Sequence, residues 1–289
     1  MQRRTFVEFG AALGLLQATA RAQATQKVEP APLRIGLTAV ILADQAAFLM
    51  RWSDYLGARM GTPVVFVARE SYQAILDLLL SDQLDAAWIC GYPYVLYQSR
   101  LQLLSTPLFN GKPFYQSYLI GQPTPPVALS SWGDLKHQVL AYSDPLSNSG
   151  WLVAQAQMRA VGLMPKDLRR SFFAHGHRNV AEAVASGLAQ AGCMDGYVWE
   201  TMQLKKMPAA AQTKVLWRSA WYAFPPLVSK LNDKNPALSA LGIAMHNMTA
   251  DAQGVSLLEA LNLTGFAKPD AAIFEPIKAL AASVGALRT

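Results

Sequence analysis

The chain has 289 residues, 52% of them hydrophobic and 15% charged, with a net charge of +6. Those values describe a globular chain with a full core and exclude a disordered one. The basic residues are scattered, with no run longer than pairs such as Arg169-Arg170 and Lys205-Lys206, so a nucleic-acid footprint is absent and small anions are the simpler partners.

The first 24 residues, MQRRTFVEFGAALGLLQATARAQA, place two arginines before a short apolar run and an Ala-x-Ala sequence. They predict a secretory signal cleaved after Ala22 or Ala24. Arg3-Arg4 followed by Phe6 predicts the twin-arginine route, which exports folded proteins. No later stretch reaches membrane-span length without charge, so no membrane insertion is expected and the mature protein should be periplasmic. Two cysteines, Cys90 and Cys193, do not make a disulfide framework.

Strand and helix signals then alternate. Residues 33–40 predict a strand, and Phe48, Trp52, Tyr55, Leu56 and Met60 a helix face. Residues 64–68 predict a strand, Tyr72, Ile75, Leu76 and Leu79 a helix, and 86–90 a short buried strand. That βαβαβ order implies a parallel sheet with helices on both faces. Two extended segments, 103–109 and 114–121, flank Asn110-Gly111. A second βαβαβ run follows, with strands at 139–142, 171–174 and 193–198 and helices at 149–161 and 177–188. Leu152, Ala156, Ala160 and Leu163 form one expected apolar stripe, and Val180, Val184 and Leu188 another. An extended stretch, 215–228, carries Pro225-Pro226. Asn235 then caps a helix with Pro236 at its first position, and 270–284 holds another.

The expected architecture is α/β and bilobal. Residues 33–110 with 226–289 would form lobe 1 and 113–222 lobe 2, joined by two crossing segments. In open parallel sheets ligands bind beyond the carboxyl ends of the strands, so two such edges facing each other form a cleft. The residues that follow strands are Thr38; Cys90 with Tyr92 and Tyr94; SDPLSNSG at 143–150; AHGH with His177; and Asp195 in AGCMDGYVWE. Ser147, Asn148 and Ser149 are more than one helix cap needs, and a helix N-terminus with hydroxyls receives an anion. Each group also has a plainer reading: a helix cap at 147–149, a core histidine at 177, a turn cap at Asp195, packing aromatics at Tyr92, Tyr94, Trp151 and Trp199.

LDAAWICGYPYV, AYSDPLSNSGWLV, HGHRNVAEAV and GCMDGYVWE resemble the periplasmic solute-binding proteins of phosphonate, phosphite and phosphate ABC transporters. The resemblance covers most of the mature chain. It implies a type II-like bilobal fold, a membrane permease as partner, and a ligand-gripping turn that here reads Ser147-Asn148-Ser149-Gly150. The family's middle threonine is Asn148 here, whose amide can still donate. His177 corresponds to the family's cleft histidine, Asp195 to its acidic residue, and Tyr92 or Tyr94 to its lobe-1 aromatic. The chain is expected to act as a monomer without cofactor.

A carboxylate in an anion site repels its ligand unless it accepts a proton from it. Asp195 therefore favours a phosphorus or arsenic oxyanion, which keeps a proton near neutral pH, over sulfate. Cys90 reads as a buried small hydrophobe or as a thiol contact for arsenite. A receptor signalling to a sensor kinase is the alternative function. His175 and His177 lack an obvious third metal ligand. Ser147 or Ser149 with His177 and Asp195 is the only candidate hydrolase triad, and it lacks the G-x-S-x-G elbow.

Overall fold

Residues 31–38, 46–125 and 128–287 are described by a computed structural model of the chain. The expected signal sequence and the end of the first expected strand, at Val40, lie outside them.

The chain runs β1 (Leu33–Leu37), α1 (Ala46–Met60), β2 (Val64–Ala68), α2 (Tyr72–Leu80), β3 (Ala86–Trp88), α3 (Gly91–Leu96) and β4 (Leu101–Leu108). It continues as β5 (Phe114–Gly121), β6 (Val139–Tyr142), α4 (Val153–Ala160), β7 (Arg170–Phe173), α5 (His177–Ala185) and β8 (Ala191–Asp195). Then come α6 (Gly196–Leu204), α7 (Pro208–Ala211), β9 (Lys214–Ala223), β10 (Leu227–Lys230), α8 (Pro236–His246), α9 (Ala252–Ala260), β11 (Gly265–Ala267) and α10 (Glu275–Ser283).

Two sheets result, one ordered β11-β4-β10-β3-β1-β2 and the other β7-β6-β8-β5-β9. The expected parallel cores are present: β1 pairs in parallel with β2 and β3, and β6 with β7 and β8. Neither sheet is wholly parallel. β10 runs antiparallel to β3 and β4, and β5 runs antiparallel to β8 and β9. The reason is the crossing segments: β4 leads into β5 and β9 into β10, so each crossing lends a strand to both sheets.

The core follows the hydrophobic spacing. Ile75, Leu76 and Leu79 of α2 are fully buried, each such side chain stabilising by about 1.5–3 kcal/mol relative to exposure. Trp52 of α1 stacks on Phe66 at 4.7 Å and meets Trp88 edge-on at 6.1 Å. Trp88 Nε1 donates to the Pro225 carbonyl at 2.8 Å, which ties β3 to the second crossing. One buried cluster runs through both sheets; a smaller one gathers Leu119, Leu140, Tyr142, Met158 and Cys193. Cys90 and Cys193 are both buried free thiols.

Four local expectations are corrected. β8 ends at Asp195 and 196–198 begin α6, because the Asp195 side chain accepts the Tyr197 N–H at 2.8 Å and caps a helix there. β3 ends at Trp88, short of the expected strand end at Cys90, and Cys90 instead stands at the N-cap position of the short helix α3. α5 stops at Ala185, which leaves Leu188 56% exposed. The helix expected from Ser149 opens instead as a π turn, Asn148–Leu152, in which Leu152 N–H reaches the Ser147 carbonyl five residues back at 3.0 Å. The wider turn rotates the helix that follows. Val153, Ala154 and Met158 face inward, while Ala156 and Ala160 do not.

Candidate functional site

Helices begin where the parallel strands end. α2 starts after β2, α3 after β3, the π turn after β6, α5 after β7 and α6 after β8. Such ends carry unpaired N–H groups and partial positive charge. Here they are linked to one another by hydrogen bonds.

The π turn is the centre of the network. Ser147 Oγ accepts the Gly150 N–H at 2.9 Å. Asn148 donates its backbone N–H to Cys90 Sγ at 3.3 Å and its Nδ2 to the Tyr115 hydroxyl at 3.1 Å. The Ser149 carbonyl accepts from Ser117 Oγ at 2.6 Å. Ser147, Asn148 and Ser149 are buried to within 1% exposure.

His177 opens α5 directly after Gly176, whose φ of 151° favours glycine. Its Nδ1 accepts the Asp195 backbone N–H at 3.1 Å, which assigns the ring proton to Nε2. Nε2 faces the Tyr72 hydroxyl at 3.2 Å. Burial pushes the His177 pKa down to about 3, so the ring is neutral. Tyr72 begins α2, and its own N–H donates to Asp144 Oδ2 at 3.2 Å. Asp144 Oδ1 accepts from Leu146 N–H at 2.8 Å. Tyr72 thus bridges the two sheets' elements twice.

Asp195 is 1% exposed. Its Oδ1 caps α6, while its Oδ2 has no hydrogen-bond partner. Burial pushes its pKa up to about 8, against the pull of the Val198 and Tyr197 N–H groups. Among the described residues seven buried side-chain polar atoms lack a partner, and four of them belong here: Ser143 Oγ, Asn148 Oδ1, Ser149 Oγ and Asp195 Oδ2. Ser149 Oγ lies near the Tyr115 hydroxyl without an aligned bond. Each unmade bond costs about 1–3 kcal/mol, so four on linked elements point to a ligand that completes them.

The other expected site residues lie as follows. Thr38 is buried at the end of β1, its Oγ1 donating to the Trp88 carbonyl at 3.2 Å. The Tyr92 hydroxyl donates to the Ala286 carbonyl at 2.9 Å, and its ring stacks on Trp151 at 6.1 Å. Tyr94 packs edge-on against Phe274 at 4.7 Å, and its hydroxyl meets Gln98. Trp199 Nε1 donates to Thr213 Oγ1. The tyrosine that joins His177 is therefore Tyr72, which the sequence reading assigned only to the α2 core face. Ser143, Asp144, Tyr115 and Ser117 were missed as well. The first two stand in the SDPLSNSG stretch already singled out. The last two are alternate residues of β5, which share one face.

Among the described residues neither candidate serine is hydrogen-bonded to His177: Ser147 Oγ is engaged by Gly150, Ser149 Oγ is unpartnered, and the His177 ring is engaged by Tyr72 and Asp195. Among the described residues no group of three or more His, Cys, Asp or Glu is gathered to hold a metal ion. Removing the Tyr72 hydroxyl (Tyr72→Phe) strands His177 Nε2 and should weaken ligand binding by about three- to tenfold, read by titration calorimetry.

A sequence model of periplasmic substrate-binding proteins of phosphonate ABC transporters matches residues 43–274. A phosphate-import protein, PhnD of Mycolicibacterium smegmatis, is 27% identical over 178 residues; the alignment covers 57% of this chain and only 55% of that relative's length. The fold is shared with a binding protein component of an ABC phosphonate transporter from Pseudomonas aeruginosa. The TM-score is 0.79 at 21% identity, over 89% of this chain and 87% of the other. PhnD1 of Prochlorococcus marinus, solved with methylphosphonate, gives a TM-score of 0.76 at 16% identity, over 88% and 98% of the two chains. In those structures, as here, the architecture is that of a bilobal binding protein.

Proposed function

The chain belongs to the family of periplasmic substrate-binding proteins of phosphonate ABC transporters, and from that membership we propose that it captures a small phosphorus oxyanion for an ABC permease. The observation that carries this reading is the set of four unpartnered polar atoms beside converging helix N-termini. Ser147 and Ser149 would hold ligand oxygens through their hydroxyls and Asn148 through the second hydrogen of Nδ2, the first being given to Tyr115; His177 would be poised by Tyr72, and Asp195 would share the ligand's remaining proton. The contacts between Tyr72 and His177, and between Asn148 and Cys90, support reading this as the closed arrangement. Residues 33–110 with 226–289 would be one lobe and 113–222 the other, opening by hinge motion at the crossings near 110–122 and 215–228. Export through the signal at residues 1–24, by the twin-arginine route, would deliver a monomer to the periplasm. Among the described residues no helix is long and apolar enough to cross a membrane.

Calorimetric titration of ligand-free protein with phosphate, phosphite, methylphosphonate and sulfate tests the reading. Tight one-to-one binding of a phosphorus oxyanion, with sulfate far weaker, is the expected result. Silence across the panel refutes it. Ser149→Ala gives a sharper check. Its hydroxyl has no partner within the protein, so thermal stability should hold or rise, while binding loses about 1–3 kcal/mol. A plain helix cap would show the reverse pattern.

A further inference from the structure

Cys90 adjoins the π turn of this same site and was given no ligand contact above. It is 2% exposed and stands at the N-cap position of α3. Its sulfur accepts the Asn148 N–H at 3.3 Å, and the Tyr92 N–H is directed at it as well. It lies close enough to Tyr72, Tyr115, Asp144 and Asp195 for its charge to be felt by, or to feel, each of them. The thiol is therefore in direct contact with the π turn that carries Ser147, Asn148 and Ser149.

Its chemistry differs from theirs. Ser143, Ser149, Asn148 and Asp195 present unpartnered oxygens to the site. Cys90 presents a soft, polarizable sulfur whose S–H is a weak donor. Burial pushes its pKa up to about 11, so it stays a neutral thiol. The two backbone N–H groups nearest to it are already turned to the sulfur, so this wall has little to offer an anionic oxygen. A ligand oxygen placed there would lose its water and gain only a weak partner. A hydrogen or a methyl group on phosphorus loses nothing.

A tetrahedral phosphorus oxyanion of the phosphonate or phosphite type has three oxygens and one substituent of another kind; phosphate has four oxygens. Resting on the anion site proposed above, we propose that Cys90 is the specificity-determining residue for the fourth substituent, favouring P–C and P–H ligands over phosphate. Methylphosphonate and phosphate both retain a proton near neutral pH, so Asp195 does not separate them. The difference falls on the fourth position.

The test is calorimetric titration of wild type, Cys90→Ser and Cys90→Ala with methylphosphonate, phosphite and phosphate, with melting temperatures as the folding control. Wild type should bind methylphosphonate or phosphite at least about tenfold more tightly than phosphate. Cys90→Ser supplies a strong donor, and should narrow that ratio about tenfold by gaining phosphate affinity. Cys90→Ala keeps the wall apolar and should leave the ratio at or above the wild-type value. Equal wild-type affinities, an unchanged ratio in Cys90→Ser, or a phosphate gain in Cys90→Ala would each overturn the role of the thiol while leaving the anion site standing. Failure of every phosphorus ligand to bind wild type would overturn both.

Discussion

Replacing Asp195 by Asn is expected to collapse the preference for a protonated phosphorus oxyanion over sulfate by about a hundredfold or more near pH 7.5. The capping oxygen can be kept in the variant, since Asn Oδ1 can still accept from the Tyr197 N–H. What is lost is the titrating Oδ2. In the closed protein burial holds this carboxyl up to about 8, from an ordinary value of 3.8. In an open, hydrated cleft it would return toward the ordinary value. Closure over a ligand without a proton therefore takes up one proton between those limits, and is favoured as pH falls and opposed as pH rises through about 8. His177 acts in the opposite sense. Its pKa drops from 6.5 to about 3 on burial, so below 6.5 closure releases a proton and is opposed as pH falls. The two effects offset one another on the acid side, where Asp144, also pushed up by burial, adds further uptake. Between pH 6.5 and 8 the opposing His177 release is gone and the Asp195 uptake is expressed. Wild-type affinity for sulfate should fall there by about tenfold per pH unit. A phosphonate that brings its own proton should show a shallower slope. In Asp195→Asn the sulfate slope should vanish. A sulfate slope that persists in the variant would remove Asp195 from the site's proton balance.

Gly150→Ala is expected to lower melting stability and to abolish measurable ligand binding, a loss of about a hundredfold or more. On helix propensity alone the substitution would stabilise by about 1 kcal/mol, since alanine loses less chain entropy than glycine. The structure reverses the sign. A Cβ on Gly150 would lie 1.8 Å from Ser143 Oγ, 2.7 Å from Ser143 Cβ and 3.1 Å from Ser147 Oγ. Rotating the Ser143 hydroxyl away does not relieve the contact with its Cβ. The end of β6 and the π turn would have to separate, at a cost of about 1–3 kcal/mol, and the Ser147 cap and Ser149 hydroxyl would move with the turn. Thermal melts and titration together decide the matter. A variant more stable than wild type, with ligand affinity intact, would show that the turn tolerates separation from Ser143.

The two βαβαβ runs, the helix cap at Asn235, and the group of small polar residues at 147–150 were legible in the sequence. These are local properties: hydrophobic period, capping chemistry and the residues that follow a strand are all written within a few neighbours. The family could be recognised from the same local stretches. What the tertiary structure decided depends on contacts between residues far apart in the chain. Tyr72 and His177 are 105 residues apart, and nothing in the spacing of α2 distinguishes a tyrosine that meets a histidine from one that fills a core. Tyr92 and Tyr94, beside the expected cleft, turn to Ala286 and Phe274, which come from the far end of the chain. The π turn escaped a pattern tuned to the 3.6-residue period, because its extra residue per turn is set by packing against Ser143 and Ser117 rather than by local propensity. The unpartnered oxygen of Asp195 belongs to that second class as well. A sequence shows that a carboxylate is present; only the folded chain shows that one of its oxygens is buried and unpaired, and so what the ligand must bring.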